Sequence, residues 1–193
     1  MNLMVSNLIL SGLLLLAGCQ SPQGRFCRNE ALRQELLEMA AVDQKAREGF
    51  GPRMIEETAR SMQAVDAAHL VRLKAILRNH GWPSRFEVGD DGAHAFWLLV
   101  QHADSGFMSE CLPKMERAVR RGEAAARDYA YLLDRVRMQR GEPQVYGTQF
   151  RIEADGQLRL YPMVDPDQVD ERRRKVGLPS MAEQEKAIRE VYR

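Results

Sequence analysis

The sequence predicts a mainly α protein, a bundle of about five helices with one C-terminal β-hairpin and one or two short terminal helices. Three observations carry this. Apolar residues recur at helical spacing through the first two thirds, as in Leu32, Leu36, Met39 and Ala40 and again in Met62, Val65, Leu70, Leu73, Ile76 and Leu77. Gly and Pro cluster between these runs, at Gly49 to Pro52, His80 to Ser84, Arg121 to Glu123 and Arg140 to Pro143. Further on, "VYGTQFRIEADGQLRLYPMV" alternates apolar and polar residues on both sides of Asp155-Gly156, a strong short hairpin signal.

The breaks place helices at roughly 28–48, 52–79, 90–103, 109–121 and 123–139. Asp90 or Asp91 is the expected N-cap of the third, and Ser109 that of the fourth, with Pro113 in its first turn. The third, "AHAFWLLVQHA", is apolar nearly all round from Ala95 to Val100, which marks it as central. The hairpin strands fall at roughly 146–153 and 157–163, and since an isolated hairpin is marginal in water, this one is expected to lie on helices. Short helices follow around Pro166 to Val176 and Ser180 to Tyr192. The basic run Arg172 to Lys175 reads as a solvated helix face, with lipid head groups as its alternative neighbour.

At the N-terminus, the apolar run Leu8 to Ala17 is about half the length of roughly 20 residues that a transmembrane helix needs. Leu16-Ala17-Gly18-Cys19 resembles the lipobox of bacterial lipoproteins, where the chain is cut before a cysteine whose thiol carries lipid. That resemblance implies a signal peptide over 1–18, a lipidated Cys19, a polar tether over 19–25 and a single domain over 26–193. Met1 to Asn7 holds no Lys or Arg, which departs from the usual signal; a plain signal peptide or a buried N-terminal helix are the competing readings. Gln20, rather than Asp, after the cysteine implies sorting to the outer membrane. The expected partner is thus the bilayer, through Cys19, with the domain in the cell envelope facing the periplasm. A net charge of +1 gives no electrostatic case for nucleic acid.

Cys27 and Cys111 remain, in a compartment that permits disulfides. Either they close a loop, worth about 4 kcal/mol in the chain-entropy model, or they are two small buried thiols.

A core stripe should be apolar, so polar residues that interrupt it are informative. The first helix continues its stripe into Asp43 and Arg47, one turn apart. The second is broken by Asp66 and His69 on one face. Gln101 and His102 end the third, and the fifth carries Tyr131, Asp134, Arg135 and Met138 beside its apolar face. Buried charges are costly unless paired, so these groups are expected to meet. A structural network, such as Asp43 with Arg135 or Asp66 with His69, is one reading. The other is a pocket for a small polar ligand, with His102, Asp66 and Asp43 as catalytic candidates, His102 being the general base and Arg47 or Arg135 an anion clamp. Gln44, Arg47, Gln101, Asp134, Arg135, Tyr146 and Gln149 are its candidate ligand contacts. A metal reading from His69, His102 and an Asp lacks any familiar ligand spacing, and no phosphate loop, nucleophile elbow or paired-cysteine motif is present, so neither metal nor cofactor is expected.

The segments "DQKAR" (Asp43 to Arg47), "GWP" (Gly81 to Pro83), "QHAD" (Gln101 to Asp104), "YAYLLDRV" (Tyr129 to Val136), "QVYGTQ" (Gln144 to Gln149) and "ERRRKVGLPS" (Glu171 to Ser180) resemble, in order, the signature segments of a bacterial family of unknown function, number 6624 among such domains. The resemblance spans nearly all of the chain after Cys19. It implies that Asp43, Gln44, Arg47, Asp66, His102, Asp134, Arg135, Tyr146 and Gln149 belong to the family pattern, whereas His69 stands where the family has Asn. It implies no activity. The expected function is therefore a membrane-anchored lipoprotein with an inter-helix polar pocket, closed by "YGTQ", whose Tyr146, Thr148 and Gln149 donate and accept. The alternative is a non-enzymatic envelope module in which the same groups are structural.

Overall fold

The computed structural model describes residues 27–48, 56–153 and 157–191. The signal segment, Cys19, the tether and the Asp155-Gly156 turn expected from the sequence lie outside them. The described chain is mainly α, with one small antiparallel hairpin: α1 (Glu30–Ala46), α2 (Glu56–His80), α3 (Arg85–Gln101), α4 (Ser105–Arg120), α5 (Ala126–Gln139), β1 (Phe150–Ile152), β2 (Leu158–Leu160), a 3₁₀ turn (Pro166–Gln168), α6 (Val169–Lys175) and α7 (Met181–Val191). No described helix is long and apolar enough to cross a membrane. The chain falls into two compact units, divided inside α5 between Tyr129 and Ala130.

In the first unit α1 packs mainly on α3 and also on α2. Leu32 and Leu36 of α1, Leu73, Ile76 and Leu77 of α2, and Phe96, Leu99 and Val100 of α3 are buried, as the apolar spacing requires. Asn29 caps α1 by accepting from the Leu32 N–H at 3.1 Å, and its own N–H donates to the Glu87 carbonyl at 2.9 Å. Helix α3 starts earlier than expected, because Ser84 caps it through the Glu87 N–H. The expected cap at Asp91 marks a restart instead: Gly89 breaks the helix with φ +75°, and Asp91 then accepts from the Gly92 N–H at 2.8 Å. Helix α4 is capped by Asp104, which accepts from the Phe107 N–H at 2.7 Å, and not by Ser109; Pro113 sits inside the helix. The Ser105-Gly106 pair looked like loop, yet it forms the first turn.

The proposed cystine is not formed. Both thiols are free; Cys27 donates to the Glu87 carbonyl at 3.0 Å, while Cys111 is fully buried and burial pushes its thiol far up from the usual range.

In the second unit the strands are shorter than the alternation suggests, with Phe150 opposite Leu160 and Ile152 opposite Leu158. Residues 144–149 leave the ladder because other groups hold their backbone. Asp134 accepts from the N–H groups of Val145 (2.6 Å), Tyr146 (3.1 Å) and Thr148 (3.0 Å) and from the Thr148 hydroxyl (3.0 Å). Gln144 closes the loop by donating to the Gln149 and Tyr161 carbonyls and accepting from the Gln149 N–H. Gly147, at φ +66°, passes so close to Met181 that a Cβ would stand 2.7 Å from its Sδ.

The basic run corrects the expectation of a solvated face. Arg173 is fully buried, donating to the carbonyls of Tyr146 (2.6 Å) and Pro179 (2.5 Å) and to the Gln184 side chain (2.9 Å). Arg172 donates to the carbonyls of Val145 (2.9 Å), Val164 (2.5 Å) and Asp165 (3.0 Å). Only Arg174 and Lys175 of the run are exposed. Arg173→Met keeps the bulk and removes every donor, leaving buried carbonyls unsatisfied. Urea denaturation of the full chain is expected to show a loss of about 2–4 kcal/mol, against less than about 0.5 kcal/mol for Arg174→Met. Equal effects of the two variants would show that the run is a solvated face after all.

Candidate functional site

The polar residues that interrupt the first unit's stripes converge on one carboxylate. Asp43, in the last turn of α1, is 1% exposed. A carboxylate at a helix C-terminus faces the negative end of the dipole, so its burial there demands compensation. Three side chains provide it. Arg47, the C-cap of the same helix, reaches back with Nη1 to Asp43 Oδ1 at 2.6 Å and to the Asp43 carbonyl at 3.2 Å. Gln44 donates from Nε2 to Oδ2 at 2.8 Å. His102, the C-cap of α3, places Nδ1 2.9 Å from both carboxylate oxygens. Its side chain is 4% exposed.

Arg47 also joins a third helix. Its Nη2 donates to Asp66 Oδ1 at 2.6 Å, so the guanidinium bridges Asp43 on α1 and Asp66 on α2. One turn along α2 lies His69, whose Nδ1 is buried with no hydrogen-bond partner among the described residues. Asp66 thus pairs with Arg47, not with His69, and Asp43 finds its cation on its own helix. Gln101, the last residue of α3, is buried beside His102 in sequence.

The electrostatics follow from this arrangement. Burial pushes the Asp43 carboxyl up, but His102, Arg47 and Gln44 together bring it below the usual carboxylate value. An ionised Asp43 accepts only, so Nδ1 of His102 carries the proton and the neutral ring keeps its lone pair on Nε2. Burial lowers the affinity of His69 for a proton, an effect that Asp43 and Asp66 partly offset and Arg47 reinforces. Chemically, the cluster can orient an imidazole and stabilise its charged form. Among the described residues no group of three His, Cys, Asp or Glu side chains is disposed to hold a metal ion.

The remaining candidates belong to the second unit. Asp134 and Gln149 are buried and engaged with the 144–149 loop; Gln149 donates to the Thr148 hydroxyl at 2.9 Å. Burial raises the Asp134 carboxyl, against the pull of the Val145, Thr148 and Tyr146 N–H groups. Arg135 is buried, which brings its guanidinium down to about 10. Tyr146 is half-buried; burial, then the Asp134 charge, raises its phenol. The loop-holding roles of Gln144 and Arg173 escaped the sequence, as did a second histidine–carboxylate pair, His94 Nδ1 to the buried Asp128 at 3.1 Å. In that pair His94 is half-exposed and its ring lies 4.9 Å from that of Trp97. The spacing of His94 to Trp97, one helical turn, was the available signal.

His69 and Asp43 each make the first unit acid-sensitive. A histidine with a depressed folded value binds protons more readily unfolded, so stability is lost as pH falls through the ordinary value of 6.5. Asp43, also depressed, stabilises above its ordinary value of 3.8 and loses that contribution as pH falls through its lower folded value. Thermal melts of the full chain are expected to fall from about pH 7 to about pH 5.5, and His69→Gln should flatten that slope. An unchanged slope in the variant would show that His69 does not carry it.

A family model matches residues 30–193, that of the family of unknown function DUF6624. The chain belongs to that family. Comparison with curated proteins and with solved structures gave no match.

Proposed function

From membership of that family, which brings no activity with it, we propose that the chain is an envelope lipoprotein whose first unit binds or processes a small polar ligand at the Asp43–His102 pair. One observation carries this reading: a buried carboxylate holds the Nδ1 of a nearly buried imidazole at 2.9 Å, while an arginine ties the same carboxylate to a second one on a neighbouring helix. Such a pair fixes the ring tautomer, and Asp43 stabilises the imidazolium once a proton is taken up. His102 is the proton acceptor, Asp43 its positioning residue, and Arg47 and Gln44 hold Asp43. The engaged side chains of Asp134 and Gln149 support a structural role for the second unit's loop.

Unbiased metabolite screening by thermal shift, on the full chain in detergent, is the test. At least one small polar compound should raise the melting temperature of the wild type, and His102→Gln should abolish that shift while remaining folded. If the wild type responds to nothing, or the variant responds equally, the cluster is a structural network and the chain a non-enzymatic module.

The anchor is tested separately. The lipobox-like Leu16 to Cys19 supports lipidation at Cys19, which buries methylenes at about 0.8 kcal/mol each and holds the chain at the bilayer with no help from the fold. Cells expressing the chain should incorporate labelled palmitate into it, and Cys19→Ser should remove the label. Equal labelling of both would refute the anchor.

A further inference from the structure

Resting on the binding site just proposed, we infer that its ligand presents a cationic, hydrogen-bond-donating group, a primary ammonium for example, and not an anion. Arg47, one of the two clamps expected for an anion, is already engaged. Arg47 spends Nη1 on Asp43 and Nη2 on Asp66, both at 2.6 Å. One guanidinium against two carboxylates leaves the cluster one negative charge in excess whenever both histidines are neutral. An incoming carboxylate or phosphate would have to displace Asp43 or Asp66 from Arg47 and strand it, which is expensive in a partly buried site.

Exposure decides which group a ligand meets. The side chains of Asp43 and His102 are 1% and 4% exposed, that of Arg47 14%, and that of Asp66 27%. The acidic end of the bridge is therefore its outer end. Asp66 gives only Oδ1 to Arg47, and its second oxygen has no partner among the described residues. One turn along the helix, His69 keeps Nδ1 buried and equally without a partner, and burial favours its neutral ring. A carboxylate oxygen accepts only, and the neutral imidazole offers one further hydrogen-bonding position. An ammonium supplies what the exposed Asp66 oxygen lacks, a positive charge and several donors, and it would sit one helical turn from the His69 ring.

The test uses the full chain with isotopically labelled histidine, and three probes at matched ionic strength: ethanolamine, propionate and inorganic phosphate. Ethanolamine is expected to move the His69 ring resonances saturably, and Asp66→Asn to weaken its binding by about tenfold or more, as loss of a charged contact does. Asp66→Glu, which keeps the charge, should retain the response and guards against a folding defect in the first variant. Saturable shifts with phosphate or propionate but not with ethanolamine would overturn the ligand class while leaving the binding site standing. So would an ethanolamine response that Asp66→Asn leaves intact. Silence of both rings to all three probes would overturn the ligand class and the binding site together.

Discussion

A carboxylate taken out of water must be surrounded by donors, and much of this molecule is arranged around meeting that demand twice. Asp43 and Asp134 are both essentially inaccessible, yet they are satisfied by different chemistry. Asp43 is met by side chains, among them a guanidinium and an imidazole, and the net effect holds it below the usual carboxylate value. Asp134 is met by backbone N–H groups and a hydroxyl, with burial the larger influence, and it lies above that value. Neutral donors fix a backbone; charged ones make an electrostatic centre that can respond to protons and ligands.

Each solution organises its own unit. Around Asp134, the "QVYGTQ" segment abandons the strand geometry its alternation suggests and wraps the carboxylate, while Arg172 and Arg173 take the carbonyls that the wrap turns outward. The loop's N–H groups and C=O groups are thus divided between one acidic and two basic side chains, while the Met181 and Met163 sulfurs crowd the place a Gly147 Cβ would take. Around Asp43, the compensating groups come from α1 and α3, and Arg47 extends the set to α2. Three helices are tied in register through a single carboxylate and its arginine.

Much of this was legible in the sequence, and the parts that were not share a cause. The helical faces of α1 and α2 could be read because their apolar spacing is regular and α3 because it is apolar nearly all round, and Asp43 with Arg47, Asp66, His69 and His102 stood out as polar interruptions of these helices. Periodicity shows which groups turn inward, but not which inward group meets which, so the expected pairing of Asp66 with His69 gave way to that of Asp66 with Arg47. Arg173 was missed because a run of four basic residues has no local mark that singles out one for burial; its partners are carbonyls 26 and 27 residues upstream. Caps failed for a similar reason. Ser84 and Asp104 begin their helices where Pro83 and Gly106 looked like loop. The unbonded cysteines mark the limit of counting: two thiols in one chain satisfy arithmetic, while only geometry shows Cys27 occupied by a carbonyl.

The charge balance of the first unit gives its imidazole a direction. With His102 neutral, Arg47 faces two carboxylates and the cluster is one positive charge short; with His102 protonated, two cations face two carboxylates. The C-terminal position of His102 on α3 also sets its ring at the negative end of the helix dipole. An arginine in the place of His102 would close the balance permanently and leave nothing to titrate. A histidine leaves it open by one proton, which is the property that the proposed site would use.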